Sequence, residues 1–341
     1  MQDKDTASDL FALMLFVRGF KISKMLQVAA ELGLADRIAS GPRPIEDLAR
    51  DCGANPAMLT RLCRALSAFG IFTVDAEGRL HHTPRSELLK SEARPTLHHA
   101  ARFWTTPGNW AAWEHLLETV RSGKPAFETA FGMPVFEYLK QHPEEARLFD
   151  AFMQHSPDDR HAAVVEAYDF SDAKLVVDVG GGNGALLAAI LGATRKTRGL
   201  LFDRKDVVAG ASATLAAYPG RYAIEAGDFF ARVPEGGDVY ALSQILHDWS
   251  DERCRAILKN CRAVMEPGAR LLVIERVLDE VPGRAYPMNY LSDMEMMILC
   301  EGAGERTVAE YAQLLAETGF TPPKLIQTRS PFSILEARTL S

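Results

Sequence analysis

The chain has 341 residues, 47% of them hydrophobic and 24% charged, with a formal net charge of -7. That length exceeds one typical domain and the apolar fraction suffices for a real core. The acidic balance gives no support to a nucleic-acid binder, which would show a basic excess, and five cysteines without C-x-x-C spacing indicate neither a disulfide framework nor a zinc site, so a reducing, cytoplasmic setting fits best.

Residues 10–17 form an apolar stretch far short of a membrane span. No small-residue cleavage site follows closely, so neither a membrane segment nor an export signal is read there. Phe11, Met14, Leu15 and Phe20 recur at helical spacing, which predicts an amphipathic helix that needs a partner surface. Short helices follow at 25–34, 44–52 and 55–69. Pro44-Ile45-Glu46-Asp47 opens one of them, and Asn55-Pro56 caps the next with proline in its first turn, as helix N-termini favour. Residues 71–74 and 79–83, separated by a polar turn, predict a hairpin. Three helices and a hairpin make a winged helix over residues 20–83. Arg61 and Arg64 on the 55–69 helix raise DNA binding as a reading, but Leu59, Leu62, Cys63, Leu66 and Phe69 share that helix and the chain is acidic. Dimerisation, or a lid over a site, suits the domain better.

From residue 97 to 168 the text is mostly helical and rich in aromatics, among them Phe103, Trp104, Trp110, Trp113, Phe127, Phe136, Tyr138, Phe149 and Phe152. Most should pack in cores, and some should line a pocket able to enclose an aromatic ligand. From residue 174 onward strands alternate with helices, with strands at 175–179, 199–202, 222–225, 239–245 and 270–275 and helices such as 185–191 and 251–265. Repeated β-α units define an α/β fold with a parallel sheet and right-handed crossovers. Ligands of such sheets sit at the carboxyl ends of the strands, where Asp178, Asp203, the Gly227-Asp228-Phe229 turn and His247 all fall.

Val176-Val177-Asp178-Val179-Gly180-Gly181-Gly182-Asn183-Gly184 describes a strand that stops at a glycine turn and opens a helix, a nucleotide-cofactor arrangement. Glycine is needed because the backbone must take dihedrals that a Cβ forbids and lie against the ligand. Asp178, two residues before Gly180, would repel a pyrophosphate yet suits a cationic sulfonium. The pattern therefore resembles motif I of S-adenosylmethionine (SAM) dependent methyltransferases more than the dinucleotide fingerprint, although Ala185 at the sixth position leaves NAD open on the turn alone. Asp203, after Leu200-Leu201-Phe202, can accept both ribose hydroxyls. Asp228 can accept the adenine amino group while Phe229 packs on the purine.

In Gln244-Ile245-Leu246-His247-Asp248-Trp249-Ser250-Asp251-Glu252-Arg253-Cys254, Ser250 is expected to cap the following helix with two acids in its first turn. His247 is thereby held between an apolar strand and a helix cap, near the cofactor cleft. Its ordinary pKa near 6.5 leaves it mostly neutral at pH 7 and able to accept a proton. The other histidines, including His81, His82, His98, His99 and His115, read as packed or surface residues. Glu275 and Glu305 are the carboxylates that can orient the His247 ring. As plain structural residues they would end a strand and cap the helix near Thr307, and those readings hold unless both converge on His247. No histidine and carboxylate cluster with metal-ligand spacing is seen, so no metal is expected.

Val176 to Gly184, Gly227-Asp228-Phe229, His247 to Glu252, Asn260-Cys261, Glu275 and Glu305-Arg306-Thr307 together resemble the O-methyltransferase family that includes plant caffeic-acid and flavonoid enzymes, acetylserotonin O-methyltransferase and bacterial enzymes tailoring phenazines and polyketides. The resemblance covers almost the whole chain. The spacings of 28 residues from His247 to Glu275 and 30 from Glu275 to Glu305 agree with the family's base and two orienting acids. It implies a Rossmann-like SAM-binding catalytic domain over 169–341, a helical connector lining the substrate pocket over 101–168, and a mainly helical winged-helix dimerisation domain over 1–100. It implies His247 as general base flanked by Glu275 and Glu305. SAM would be held by Asp178, Gly180, Gly182, Asp203, Asp228, Phe229, Ser243 and Trp249, and the acceptor by Phe152, Met153, Asp248, Asn289, Asp293, Met296 and Met297. Ser243 stands where plant members usually carry a lysine, and Cys300 replaces a polar residue of their pocket, so the acceptor is not expected to be of the lignin type. The implied reaction methylates a hydroxyl of an aromatic secondary metabolite in a homodimer, with no nucleic acid or membrane as partner, and the apolar stretch at 10–20, which has no obvious home in its own chain, is expected to swap across the dimer. The alternatives are a non-methylating relative that keeps SAM while hydroxylating or decarboxylating a polyketide, and a winged-helix regulator that senses SAM.

Overall fold

A computed structural model of the chain describes residues 2–155, 159–283 and 286–340. The chain forms two compact units, Met1–Glu114 with Phe136–Pro157, and His115–Val135 with Asp158–Ser341. The stretch 101–168 is shared between them.

In the first unit the apolar stretch at 10–17 ends a longer helix, Gln2–Val17, on which Leu10, Phe11, Leu13, Phe16 and Val17 are all exposed. The winged-helix pattern follows. Helices Ile45–Cys52 and Pro56–Ala68 precede the hairpin Phe72–Val74 and Arg79–His82, and Arg43–Pro44 adds a third short strand. The local signals act as expected at Asn55, whose side chain accepts from the Met58 N–H at 3.2 Å with Pro56 at the first helical position. Leu59, Cys63 and Leu66 turn inward onto Leu48, Phe72 and Leu80, while Arg61 and Arg64 face solvent. Each large side chain so buried contributes roughly 1.5–3 kcal/mol, so the apolar face of this helix is committed to its own core.

The second unit is an α/β sandwich. Its sheet strands are β1 (Leu175–Val179), β2 (Arg198–Asp203), β3 (Tyr222–Ala226), β4 (Val239–Ser243), β5 (Arg270–Leu278), β6 (Lys324–Gln327) and β7 (Phe332–Arg338). They lie in the order β6-β7-β5-β4-β1-β2-β3, with β1 to β5 parallel and the β6–β7 hairpin antiparallel on the edge of β5. The two C-terminal strands are set off by Pro322-Pro323 and Ser330-Pro331, turn signals from which no strands were expected. Strand β5 runs three residues beyond the expected 270–275, because β7 matches it from Arg270 to Arg276 and Val277 and Leu278 then pair in parallel with Arg306 and Thr307.

Residues alternate across this sheet. Val177, Val179, Phe202, Tyr240, Leu271 and Val273 pack beneath helices Asp251–Val264 and Val308–Glu317. Val176, Leu201, Ala241, Leu272 and Ile274 pack beneath Arg160–Ala167 and Ala185–Ala193. Strand β4 stops at Ser243, short of the expected residue 245, because Gln244 adopts a left-handed φ of 55° and the chain turns into a short 3-10 helix, Leu246–Asp248. Such a conformation is uncommon for a residue with a side chain, and it places the next three residues over the end of β5.

Candidate active site

The turn after β4 presents three N–H groups to one carboxylate. Glu275 Oε1 accepts from the Ile245 and Leu246 amides at 2.9 and 2.8 Å, and Oε2 lies 2.7 Å from His247 Nδ1. The left-handed Gln244 makes this possible by directing the Ile245 and Leu246 amides back across the sheet. Glu275 is fully buried and His247 is 8% exposed, so the ring is fixed and its Nε2 is the nitrogen left to face a ligand. That nitrogen stands 3.3 Å from Asp248 Oδ1. Burial disfavours a charged imidazole, yet the carboxylates of Glu275 and Asp248 outweigh it and raise the His247 pKa well above its ordinary value. The expectation of a mostly neutral ring at pH 7 is thereby corrected, because sequence alone did not place two acids against its two nitrogens.

Glu305 converges on the same point. Donor atoms of His247, Glu275 and Glu305 lie within 4.8 Å of one another, and all three residues are buried. Glu305 is not a helix cap. Thr307 caps the following helix in a reciprocal pair with Glu310, whereas Glu305 Oε1 accepts from the Ser292 hydroxyl at 2.8 Å. Its Oε2 has no hydrogen-bond donor among the described residues. Burial, offset in part by His247 and reinforced by Glu275, pushes its carboxyl up to about 7. The cluster has the spacing of a metal site that the sequence did not reveal. Its hydrogen bonds suit a proton-handling group instead, since Nδ1 and both Glu275 oxygens are engaged within the protein.

At the other side of the strand ends is the glycine turn. Gly180, Gly182 and Gly184 all have positive φ. A Cβ on Gly180 would fall 2.4 Å from Ile245 Cδ1, and one on Gly181 would fall 2.5 Å from the Asp178 carboxyl, whereas one on Gly182 would meet nothing. The turn is thus closed underneath and open above. Asp178 does not stand at the open tip, as the motif suggested. It is fully buried beneath the turn, and neither of its oxygens has a hydrogen-bond partner among the described residues. Burial, and then the charge of Asp203, push its carboxyl up to about 7. Asp203 is half-buried at the end of β2, accepting from the Gly182 and Arg204 amides at 2.9 and 2.6 Å.

Phe229 and Trp249 meet edge to face at 6.2 Å, bringing the turn after β3 to the one after β4. Asn260 ties that contact down, donating to the Phe229 and Phe230 carbonyls at 2.8 and 2.9 Å. Arg253 lies over both Phe230 and Trp249. Asp228 is exposed and accepts from the Phe230 amide, and Ser243 is the last residue of β4. Ser250 precedes helix Asp251–Val264 as expected, but its side chain makes no capping bond.

Helix Pro287–Leu299 carries the expected acceptor residues. Asp293 accepts from the Glu305 amide at 2.9 Å, and Met296 and Met297 are half-buried. Asn289 is buried and donates to the Val277 carbonyl at 3.3 Å, fastening this helix to β5. Cys300 ends the helix, its thiol pushed up to about 12 by burial and by Asp248. Phe152 and Met153 belong to the first unit, where Phe152 stacks on Phe103 at 5.3 Å and Met153 is exposed.

Residues 113–321 match the family model of the O-methyltransferase domain, and residues 14–92 match that of the O-methyltransferase dimerisation domain. The chain belongs to the O-methyltransferase family. It is 39% identical over 330 residues to a phenazine O-methyltransferase of Lysobacter antibioticus, covering 96% of each chain. Human N-acetylserotonin methyltransferase, solved with SAM, is 27% identical with a TM-score of 0.87 over 98% of each chain. An O-methyltransferase of neocarzinostatin biosynthesis, solved with SAM and 2-hydroxy-5-methyl naphthoic acid, is 31% identical with a TM-score of 0.79, covering 94% of this chain and 96% of its own. This protein is a SAM-dependent O-methyltransferase of the secondary-metabolite type with a Rossmann-like sheet. No described helix is long and apolar enough to cross a membrane.

The residues of this enzyme fit a cationic cofactor. Asp178 is a buried carboxyl with no donor, and among the described residues no cationic side chain pairs with it or with Asp203. Sequence reasoning missed three contributors, namely Gln244, Ser292 and Arg306. Gln244 and Ser292 leave no local signal, because their roles depend on strand ends and a helix remote in sequence. Arg306 was legible only as part of the Glu305-Arg306-Thr307 run, with no role attached.

Proposed function

We propose that the enzyme methylates a hydroxyl of an aromatic small molecule, with His247 as general base. The observation that carries this is the fixed ring, with Nδ1 at 2.7 Å from Glu275 Oε2 and Glu305 beside it. Bound SAM supplies an electrophilic methyl group on a positively charged sulfur. Asp178, Gly180, Gly182, Asp203, Asp228, Phe229, Ser243 and Trp249 are the residues assigned to hold it, with the acids beneath and beside the turn matching its charge. Asp248, Asn289, Asp293, Met296 and Met297 are assigned to the acceptor.

A phenol with pKa near 10 is poorly ionised at neutral pH, so removal of its proton by Nε2 raises the nucleophilicity of the attacking oxygen. Glu275 keeps the ring oriented and stabilises the charge it gains. Glu275 and Asp248 favour the protonated ring, so the fraction able to accept the acceptor's proton grows as pH rises. The aromatic relatives and the half-buried methionines, adaptable in shape, support a flat acceptor. The dimerisation domain and the exposed apolar side chains of Gln2–Val17 support a homodimer that exchanges this helix. Light scattering tests that, and a stable monomer would refute it.

The decisive experiment is transfer of labelled methyl from SAM to a panel of phenols, phenazines, quinols and polyketide aglycones, with wild type and His247→Ala side by side. Label on an aromatic oxygen is expected, with turnover falling about 10² to 10⁴-fold in the variant while calorimetry shows SAM binding retained. Wild-type turnover by the variant would remove His247 as base. SAM binding with no label moved to any acceptor would favour a non-methylating reaction.

A further inference from the structure

The buried Arg306 is absorbed by none of these roles, yet its guanidinium reaches the catalytic turn at both ends. Nη1 donates to the Leu246 carbonyl at 2.9 Å and to the Gly304 carbonyl at 3.2 Å, while Nη2 donates to the Trp249 carbonyl at 2.8 Å. Nε completes the set on Asp251 Oδ1 at 3.0 Å. The adjacent Gly304 amide donates to the His247 carbonyl at 2.9 Å. Three carbonyls around the base, those of Leu246, His247 and Trp249, are therefore held from the segment that carries Glu305. Arg306 is 7% exposed. A charge that deep is retained only where its hydrogen bonds are satisfied, and here the partners are mostly backbone atoms of the turn.

We propose that Arg306 is a positioning residue that sets the register between His247 on the turn after β4 and Glu305 on its own segment, and with it the distance from Nε2 to the acceptor hydroxyl. This rests on His247 acting as the base. The planar fork of arginine engages several carbonyls at once, and a lysine ammonium is a single point charge on a flexible stem. A displacement of about 1 Å at a reacting group costs roughly 10²-fold in rate, so a small release of this turn is enough to be seen.

The test compares Arg306→Lys and Arg306→Ala with His247→Ala in the full-length enzyme, using the best acceptor found in the panel. Arg306→Lys is expected to lower kcat about tenfold to a hundredfold while the acceptor KM and the calorimetric SAM affinity change less than about threefold. Millimolar guanidinium is expected to restore part of the kcat of Arg306→Ala by entering the space left, and to restore nothing to His247→Ala. Wild-type kcat for Arg306→Lys beside a crippled His247→Ala would overturn the inference while leaving the base assignment standing. Loss of kcat with a parallel loss of SAM affinity and no rescue by guanidinium would overturn it as well, since that marks general destabilisation. Full turnover by His247→Ala would instead overturn the reading on which it rests.

Discussion

Glu275 and Asp178 are both completely buried near the carboxyl ends of β5 and β1, and their surroundings are opposite. Glu275 meets three N–H groups within 2.9 Å, two from the backbone after β4 and one from His247. Asp178 meets none among the described residues, and the Leu187 amide near it favours its charge without reaching hydrogen-bond geometry. Burial alone therefore assigns no role to an acid. Glu275 is held by the protein's own donors and in turn holds a ring, whereas Asp178 has no such donor among the described residues and its proton affinity rises instead.

The comparison breaks most visibly at Glu275. Replacing it with alanine leaves two buried amides and the His247 N–H without their acceptor. Turnover is expected to fall about 10²-fold from misplacement of the ring, and each stranded donor costs about 1–3 kcal/mol of stability. Radiolabel kinetics and urea unfolding measure the two effects, and unchanged values in both would remove Glu275 as the holder.

The pH profile sharpens the contrast from the side of the base. Since burial is outweighed by Glu275 and Asp248 and the His247 pKa is raised well above 6.5, the proton-accepting form grows as pH rises. The acceptor kcat/KM is expected to climb up to about tenfold per pH unit above pH 6.5 before levelling, and in Glu275→Gln the same limb should move to lower pH. A profile flat from pH 6.5 upward would show that the ring is neutral in the working complex.

Asp178 predicts a smaller, thermodynamic effect. Its folded pKa is raised from 3.8 to about 7, so its contribution to stability is fully present below about pH 3.8 and is lost as pH rises through about 7. Asp178→Asn should therefore gain on wild type across that window by up to about 1.4 kcal/mol per pH unit, read by urea unfolding of the cofactor-free protein at pH 5 and pH 8. An identical difference at both values would mean that the carboxyl does not titrate there.

Much of this enzyme was legible in the sequence because the signals were local. The glycine turn, the Asn55-Pro56 helix start, the hairpin and the β-α alternation each depend on dihedral limits or on hydrophobic periodicity over a few residues, and each appears where it was expected. The place of the two C-terminal strands was not legible, since their pairing on β5 is long-range and the Pro322-Pro323 and Ser330-Pro331 turns do not specify it. At the site, the residue types and order of His247, Glu275 and Glu305 pointed to a base with orienting acids.

Tertiary structure alone decided what those residues do to one another. His247 and Glu275, 28 positions apart, share a hydrogen bond only because β4 and β5 are neighbours, and Glu305, 30 positions further on, reaches them only because its segment folds back to the same turn. That convergence made His247 a ring between carboxylates and gave Arg306 a place among the carbonyls of Leu246, Gly304 and Trp249; the packing of the glycine turn sealed Asp178 beneath it rather than at its open tip. The physical reason is that sequence specifies which groups are present and their local geometry, whereas hydrogen-bond satisfaction and proton affinity in a buried site depend on neighbours brought from far along the chain.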